Sequence, residues 1–380
     1  MALYEGIALI QEKQAVVLDL GHDYTKFGFT GEAAPRCIIP SSFWSPDEKC
    51  YKKVYDYKDE DELYENLVHM LHLLYFRHVL VNPKERKVVV VESLLTPTLF
   101  RETLAKVLFM HYEVSGVMWA DSARLCALTL GTNITLVVNI GALEAEVVAV
   151  VHGSPVIHAI QSGPLGARAV STELARLLDE QYGAPLQLSE HVLEDIRVRA
   201  CFVPGRARAL TLDDPSTVGA RGVSVTGPDR VLTVGGKARE RAAETLFLRN
   251  NELASLPDLM LKCILQCPID VRRELAANIL VTGGGAALTG LKARLAAELR
   301  HLVTLTPYSE SLHGLQFSFH SAPSPDSTVS WMGGALAGAA DSGSRALLKD
   351  VYSRSRRLRD WPCLLHTTPP DHHHWAELQC

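Results

Sequence analysis

The chain has 380 residues, 47% of them hydrophobic and 21% charged, enough length and apolar content for roughly two to three domain-sized cores. Its net charge of −5 gives a nucleic-acid role no overall electrostatic support. Neither a signal peptide nor a membrane span is expected: residues 1–10 lack a basic start and contain Glu5, and Glu92 interrupts the apolar run 88–95. The expected compartment is cytosolic or nuclear. Eight cysteines without framework spacing fit free thiols in a reducing compartment.

In chain order, Ala15-Val-Val-Leu-Asp-Leu-Gly21 opens a strand, turn and strand, and residues 45–62 follow as a charged, tyrosine-rich excursion without apolar periodicity. Leu63, Leu67, Met70, Leu71 and Leu74 predict a helix over 62–78, then a buried strand over 87–92. A helix over 98–112, a strand over 116–119 and a helix over 122–130 complete the first half. Thr135-Leu-Val-Val-Asn-Ile-Gly141 then repeats the opening motif 120 positions later. Helices are expected over 169–182 and 189–200, short strands and loops over 203–236, and helices over 237–250, 256–267 and from 268 onward. A strand over 278–282 runs into Gly283-Gly284-Gly285, with a helix beginning near Leu288. Residues 331–340 are too rich in small side chains for a surface helix and predict one packed against the interior.

The two copies of the opening motif imply an α/β protein of two similar lobes. In each, an apolar strand ends at Asp or Asn and then Gly, so the following amides can turn inward as an anion-holding nest. The triple glycine, between a strand and a helix, allows close approach to a ligand near a positive dipole end. Three other clusters read as bland. Cys263 and Cys267, four apart without a second pair, are a poor metal site. His372 to His374 follow Pro369-Pro370 as a polar tail, and Arg354 to Arg359 read as a solvated face.

These pieces, in this order, resemble the actin superfamily over nearly the whole chain. The resemblance rests on residues 26–36 (Lys-Phe-Gly-Phe-Thr-Gly-Glu-Ala-Ala-Pro-Arg), on 268–284 from Pro-Ile-Asp-Val-Arg-Arg-Glu-Leu to the glycines, and on Trp331-Met-Gly-Gly334. Met1 to Gly6, Pro35 to Ser41, Leu74 to His78, Phe100 to Leu104, Glu194 to Arg197, Ala200 to Val203 and Gln266 to Asp270 are similar to the actin-related proteins of the dynactin pointed end. The resemblance implies an actin-like fold with a duplicated sheet core and an interlobe nucleotide cleft. It divides the chain into a first lobe, 1–132 with 329–380, whose second subdomain is reduced to about 43–62, and a second lobe, 133–328.

Carried over position by position, Asp19, Gly21 and Lys26 match the first phosphate loop, where the Asp holds hydrated magnesium and the Lys contacts phosphate. Gly141 matches the second loop, Arg197 the adenine-contacting lysine, and Gly283, Gly284 and Gly285 the adenosine loop. Departures are extensive. His22 and Asp23 replace a small hydroxyl residue and a glycine, and a carboxylate about 5 Å from a polyphosphate costs roughly 3 kcal/mol at an effective dielectric near 20. Asn139, Ala142 and Leu143 stand for two acids and a glycine, Ser122 and Glu146 for the water-orienting glutamine and histidine, and Val198 for the ribose-binding acid. The expectation is therefore no catalytic residue and no enzyme. ATP or ADP with Mg, where bound, is structural.

What the resemblance then implies is a structural subunit capping the pointed end of dynactin's actin-like filament and scaffolding the other pointed-end subunits. It would support dynein-based microtubule transport in the cytoplasm and cytoskeleton. The expected filament face lies near Leu128 and between Trp331 and Tyr352. The alternatives are a divergent nuclear actin-related protein of a chromatin-remodelling complex and an actin-fold ATPase or kinase.

Overall fold

The computed structural model describes residues 14–45, 49–214, 219–226, 231–248, 254–340 and 345–358. The Met1 to Gly6 motif, Arg359 and the histidine triplet lie outside the described residues. The chain forms two compact units, Met1–Leu125 with Ser330–Cys380, and Cys126–Val329.

The first unit opens with β1 (Val16–Leu20), β2 (Tyr24–Phe29) and β3 (Cys37–Pro40) as an antiparallel meander. The excursion is more regular than its composition suggests. It holds a hairpin, β4 (Ser42–Ser45) and β5 (Cys50–Lys53), whose register pairs Phe43 with Lys52 and Trp44 with Tyr51. Phe43 is buried and stacks on His69, while Trp44 points outward, so the period of two was present but masked by charged and aromatic residues. Helix α1 (Glu60–Leu73) is capped by Asp59, whose side chain accepts the Glu62 N–H. It runs on through a wider π-type segment, Leu74–Val79, ending at Leu80 in the left-handed conformation. Strand β6 (Lys87–Glu92) pairs in parallel with β1. Helix α2 (Thr98–Lys106), with its own π-type extension Val107–His111, leads to β7 (Gly116–Asp121), parallel to β6, and then to α3 (Ser122–Leu130).

The second unit repeats the opening arrangement. Strands β8 (Ile134–Ile140) and β9 (Ala145–Val151) are antiparallel, and the short β10 (Ser154–Pro155) and β11 (Gln161–Gly163) both pair with β9. Helices α4 (Ala167–Tyr182), α5 (Glu190–Ala200) and the one-turn α6 (Arg206–Ala209) follow, then a separate hairpin of β12 (Val223–Thr226) and β13 (Val231–Val234). The stretch expected to be only strands and loops thus contains a helical turn. After α7 (Gly236–Arg241) the helix expected to reach 250 tightens into a 3₁₀ segment, Ala242–Leu246. Helices α8 (Leu256–Gln266) and α9 (Ile269–Ala277) precede β14 (Ile279–Thr282), which joins the sheet parallel to β8. Helix α10 (Leu291–Leu302) begins three residues later than expected, because Gly284–Ala287 form a 3₁₀ turn and Gly290 is left-handed. A one-turn α11 (Ser309–Leu312) comes next.

The chain re-enters the first unit through α12 (Val329–Ala340). It then adds β15 (Leu347–Leu348) antiparallel to β7 and ends its described part after α13 (Lys349–Ser355). The first sheet therefore runs β15-β7-β6-β1-β2-β3. One face carries Val16, Leu18, Val88, Val90 and Trp119 against α1 and α2; the other carries Val17, Val89, Val91 and Met118 against α12. The small residues of α12 permit that second contact. A Cβ on Gly333 would stand 2.2 Å from the Leu125 carbonyl oxygen, and one on Gly338 2.5 Å from Thr30 Cγ2.

Two acids close adjacent parallel strands in register, Glu92 on β6 and Asp121 on β7, both buried. Arg101 Nε donates to both Glu92 oxygens at 3.1 and 2.9 Å, yet burial pushes the Glu92 carboxyl up to about 7. Asp121 accepts the Arg124 N–H at 2.9 Å, capping α3, and burial pushes its carboxyl up to about 6.

Gly333→Ala should destabilise the protein by about 1–3 kcal/mol, because the obstructing atom is backbone. Gly205→Ala, whose Cβ meets nothing within 4 Å, should change stability by under about 0.5 kcal/mol. Chemical denaturation of the two variants checks the contrast. Asp121 binds its proton more tightly folded than unfolded, so its stabilisation is complete below pH 3.8 and is lost as pH rises towards about 6. Asp121→Asn should flatten that decline in denaturation midpoints measured between pH 4 and 7.

Candidate nucleotide site

Each unit carries its own version of the strand-turn-strand motif, and register makes them comparable. Asp19 of β1 faces Lys26 of β2, and Asn139 of β8 faces Glu146 of β9. The duplicated pair thus carries opposite charge in its second member. Lys26 would attract a phosphate, whereas Glu146, buried beside the second turn, would repel one.

In the first unit the charges already satisfy one another. Lys26 Nζ donates to Asp19 Oδ2 at 2.9 Å, and Ser330 Oγ donates to the same oxygen at 3.0 Å. Both ion-pair side chains are 13% exposed. The turn itself is closed by Gly21 N donating to the Tyr24 carbonyl at 3.2 Å, and a Cβ at Gly21 would stand 2.7 Å from that oxygen. Three further carbonyls of the motif are held from outside it. Tyr55 Oη donates to Leu20 O, Ser41 Oγ to Gly21 O and Ser41 N to Asp23 O. His22 stacks on Tyr55 at 4.8 Å, and Tyr55 on Phe100 at 4.9 Å.

In the second unit, Gly141 N donates to Glu144 O at 2.9 Å. The amides that begin α4 are consumed by this turn: Gly166 N donates to Leu143 O, Ala167 N to Gly141 O and Arg168 N to Ala142 O. Helix N-terminal amides ordinarily available to an anion are therefore engaged. Of the three glycines, two serve packing. A Cβ on Gly283 would meet Ile140 O at 2.4 Å and one on Gly285 the Ile140 Cγ2 at 2.4 Å, whereas one on Gly284 meets nothing within 4 Å. Only at Gly284 would an added Cβ meet open space. Gly283 needs glycine also for its φ of 93°. Asp326 braces the turn: its carbonyl accepts from Gly283 N and Thr282 Oγ1, and its carboxylate from Lys292 Nζ. Arg197 is buried on α5 with Nη2 3.7 Å from Glu194, and its Nε has no hydrogen-bond partner among the described residues. Val198, in the ribose-acid position, is 64% exposed.

Taken unit by unit, the first offers Lys26 as a cation beside its turn, and the second offers the open Gly284 backbone and the buried Arg197 side chain. The magnesium set fits poorly: Asp19 is already neutralised, and Asn139, Ala142 and Leu143 supply no carboxylate. Sequence reasoning missed Ser330, Ser41, Tyr55 and Asp326. Ser330 stood next to the recognised Trp331 motif, but no sequence signal joins residues 311 positions apart. The three filament-face residues separate. Leu128 is half exposed, but Trp331 is fully buried with Nε1 donating to Val17 O, and Tyr352 is buried against Phe109 at 4.5 Å. Neither of the last two side chains can meet a partner, because each fills the core of the first unit.

Two comparisons bear on identity. The chain is similar to actin-related protein 10 of Dictyostelium discoideum, with 25% identity across 86% of this chain and 83% of that one. A sequence profile described as actin matches residues 10–67 and 62–352, which is most of the chain. With the paired strand-turn-strand motifs in two units, this match makes the chain a member of the actin family.

Proposed function

We propose that the chain is a non-catalytic actin-related subunit of dynactin that caps the pointed end of its actin-like filament. There it scaffolds the other pointed-end subunits in the cytoplasm and supports dynein-based microtubule transport. In this reading the two units are the two lobes of the fold, and residues 43–62 are the reduced second subdomain. The observation that carries it is the size of the excursion: the β4–β5 hairpin has four-residue strands and leaves no long loop to insert into a next subunit. A subunit with one adhesive face and one altered face terminates a head-to-tail chain.

The outer face of the hairpin supports the second half of the proposal. Trp44 is 52% exposed and Tyr51 74%, with their rings edge to face at 5.4 Å. Paired aromatics in water are costly for a monomer and characteristic of interface anchors. Leu128 remains the candidate contact on the filament side. Nucleotide, where present, stabilises the fold without being turned over, because Asp19 is already paired with Lys26 and the matched second-turn positions Asn139, Ala142 and Leu143 carry no carboxylate for a hydrated magnesium ion.

Affinity purification of the tagged chain from cell extract should recover dynactin's filament and pointed-end subunits; recovery of chromatin-remodelling subunits instead would overturn the reading. Trp44→Ser with Tyr51→Ser should lose the pointed-end subunits while keeping the filament. Purified protein should release no phosphate from ATP above background with or without magnesium, and a fast magnesium-dependent release would sink the non-catalytic assignment.

A further inference from the structure

The hairpin of β12 and β13 in the second unit has two outer edges, and they are treated differently. Along β13 the outward backbone groups are taken by the end of α4. Thr233 N donates to Tyr182 Oη at 2.9 Å, Thr233 O accepts from Gln181 Nε2 at 2.7 Å and from Tyr182 Oη at 3.2 Å, and Gly235 N donates to Gln181 Oε1 at 2.8 Å. Two neighbouring side chains therefore close this edge.

These contacts fix where the backbone groups of the other strand point. Opposed residues of an antiparallel pair alternate between those that bond one another and those whose N–H and C=O turn away. Thr233 turns away, so its register partner Ser224 does too, and by the same alternation so does Thr226, the partner of Val231. On β12 these groups face out from the hairpin, and they have no hydrogen-bond partner among the described residues. Val223, Ser224 and Thr226 are all exposed. An exposed edge without caps is a template for one more strand.

The inner face of the same strand adds a pocket. Val225 and Leu232 are opposed and buried, and α5 packs against β12. Between them lies a cavity of about 260 Å³ lined by Val192, Asp195 and Ile196 of α5, Val225 and Thr226 of β12 and Leu232 of β13. Sites that enclose small molecules run to roughly 300–1,000 Å³, so this one suits one or two side chains instead. Asp195 is the one acid among the lining residues, and no lysine or arginine lines the cavity. The Asp195 carboxylate pairs with Arg199 at 2.7 Å, and that arginine side chain is 70% exposed. A surface pair of this kind exchanges its cation at little cost.

We propose that the β12 edge and this cavity form a docking site for an extended segment of a partner protein, which adds to the hairpin as a third strand. The backbone of the segment pairs with Ser224 and Thr226. One of its apolar side chains enters the cavity, and a lysine or arginine two positions away, on the same face, meets Asp195. The inference is independent of the dynactin reading, because it rests only on elements of the second unit.

The test pans random peptides of about nine residues, displayed on phage, against the full chain. The expected result is enrichment of peptides with an apolar residue and a lysine or arginine two positions apart, and saturable binding of the best of them as a synthetic peptide. Ser224→Pro removes an outward N–H and leaves the ladder to β13 intact, so it should keep the melting temperature and weaken the peptide about tenfold. Asp195→Asn should weaken it about threefold or more. N-methylation of the peptide's edge-facing amides should abolish binding to the unaltered chain, a readout that stands whether or not the proline variant folds. Failure to enrich any such peptide, or binding that survives N-methylation, overturns the proposal. A dimer in sedimentation that Ser224→Pro dissociates overturns it too, by making a second copy the occupant.

Discussion

The ion pair between Asp19 and Lys26 is the interaction on which the reading of this molecule turns. Two opposite charges at this separation attract by roughly 4 kcal/mol or somewhat more at an effective dielectric near 20, and desolvation takes back much of it. The pair is therefore a modest source of stability and a strong constraint on chemistry. Both contacts fall on one carboxylate oxygen and use one of the three ammonium donors, so a phosphate or a metal-bound water would meet a pair whose charges already offset one another. Because Ser330 begins the late helix, the same oxygen also ties the first strand to a segment at the far end of the sequence.

The second motif shows the same scaffold with its chemistry changed. Strand pairing and the closing glycine are kept, and the register partner of Asn139 is an acid where Lys26 stands in the first copy. The α4 amides, which would welcome an anion, instead bind the turn's own carbonyls. The second turn and the start of α4 are thus joined by hydrogen bonds within the protein.

Much of the fold was legible because strong local signals agreed with the tertiary result. Continuous apolar runs gave β6 and β8, leucine spacing gave α1, and the small-residue run gave a helix buried against the sheet. The hairpin β4–β5 was missed because its buried position, Phe43, alternates with Trp44, so both faces look apolar, and lysines fill the partner strand. The packing demands on the glycines were hidden for a related reason: a triplet carries no mark of which member would meet Ile140 and which open space. Trp331 and Tyr352 were assigned to the filament face through the resemblance, and only packing shows that both side chains are core. Tyr55, Ser41 and Ser330 act through contacts between distant positions, which periodicity does not encode.

The rings of His22, Tyr55 and Phe100 stand in a column, and Tyr55 and Ser41 together hold three carbonyls of the first motif. The first turn at one end of this column and α2 at the other are therefore bridged by Tyr55, which follows the hairpin in the chain. Ser41 and Tyr55 flank the hairpin on either side, so its two ends are pinned to the carbonyls of Leu20, Gly21 and Asp23. The first turn is thus shaped as much by residues outside its own loop as by the strands that flank it.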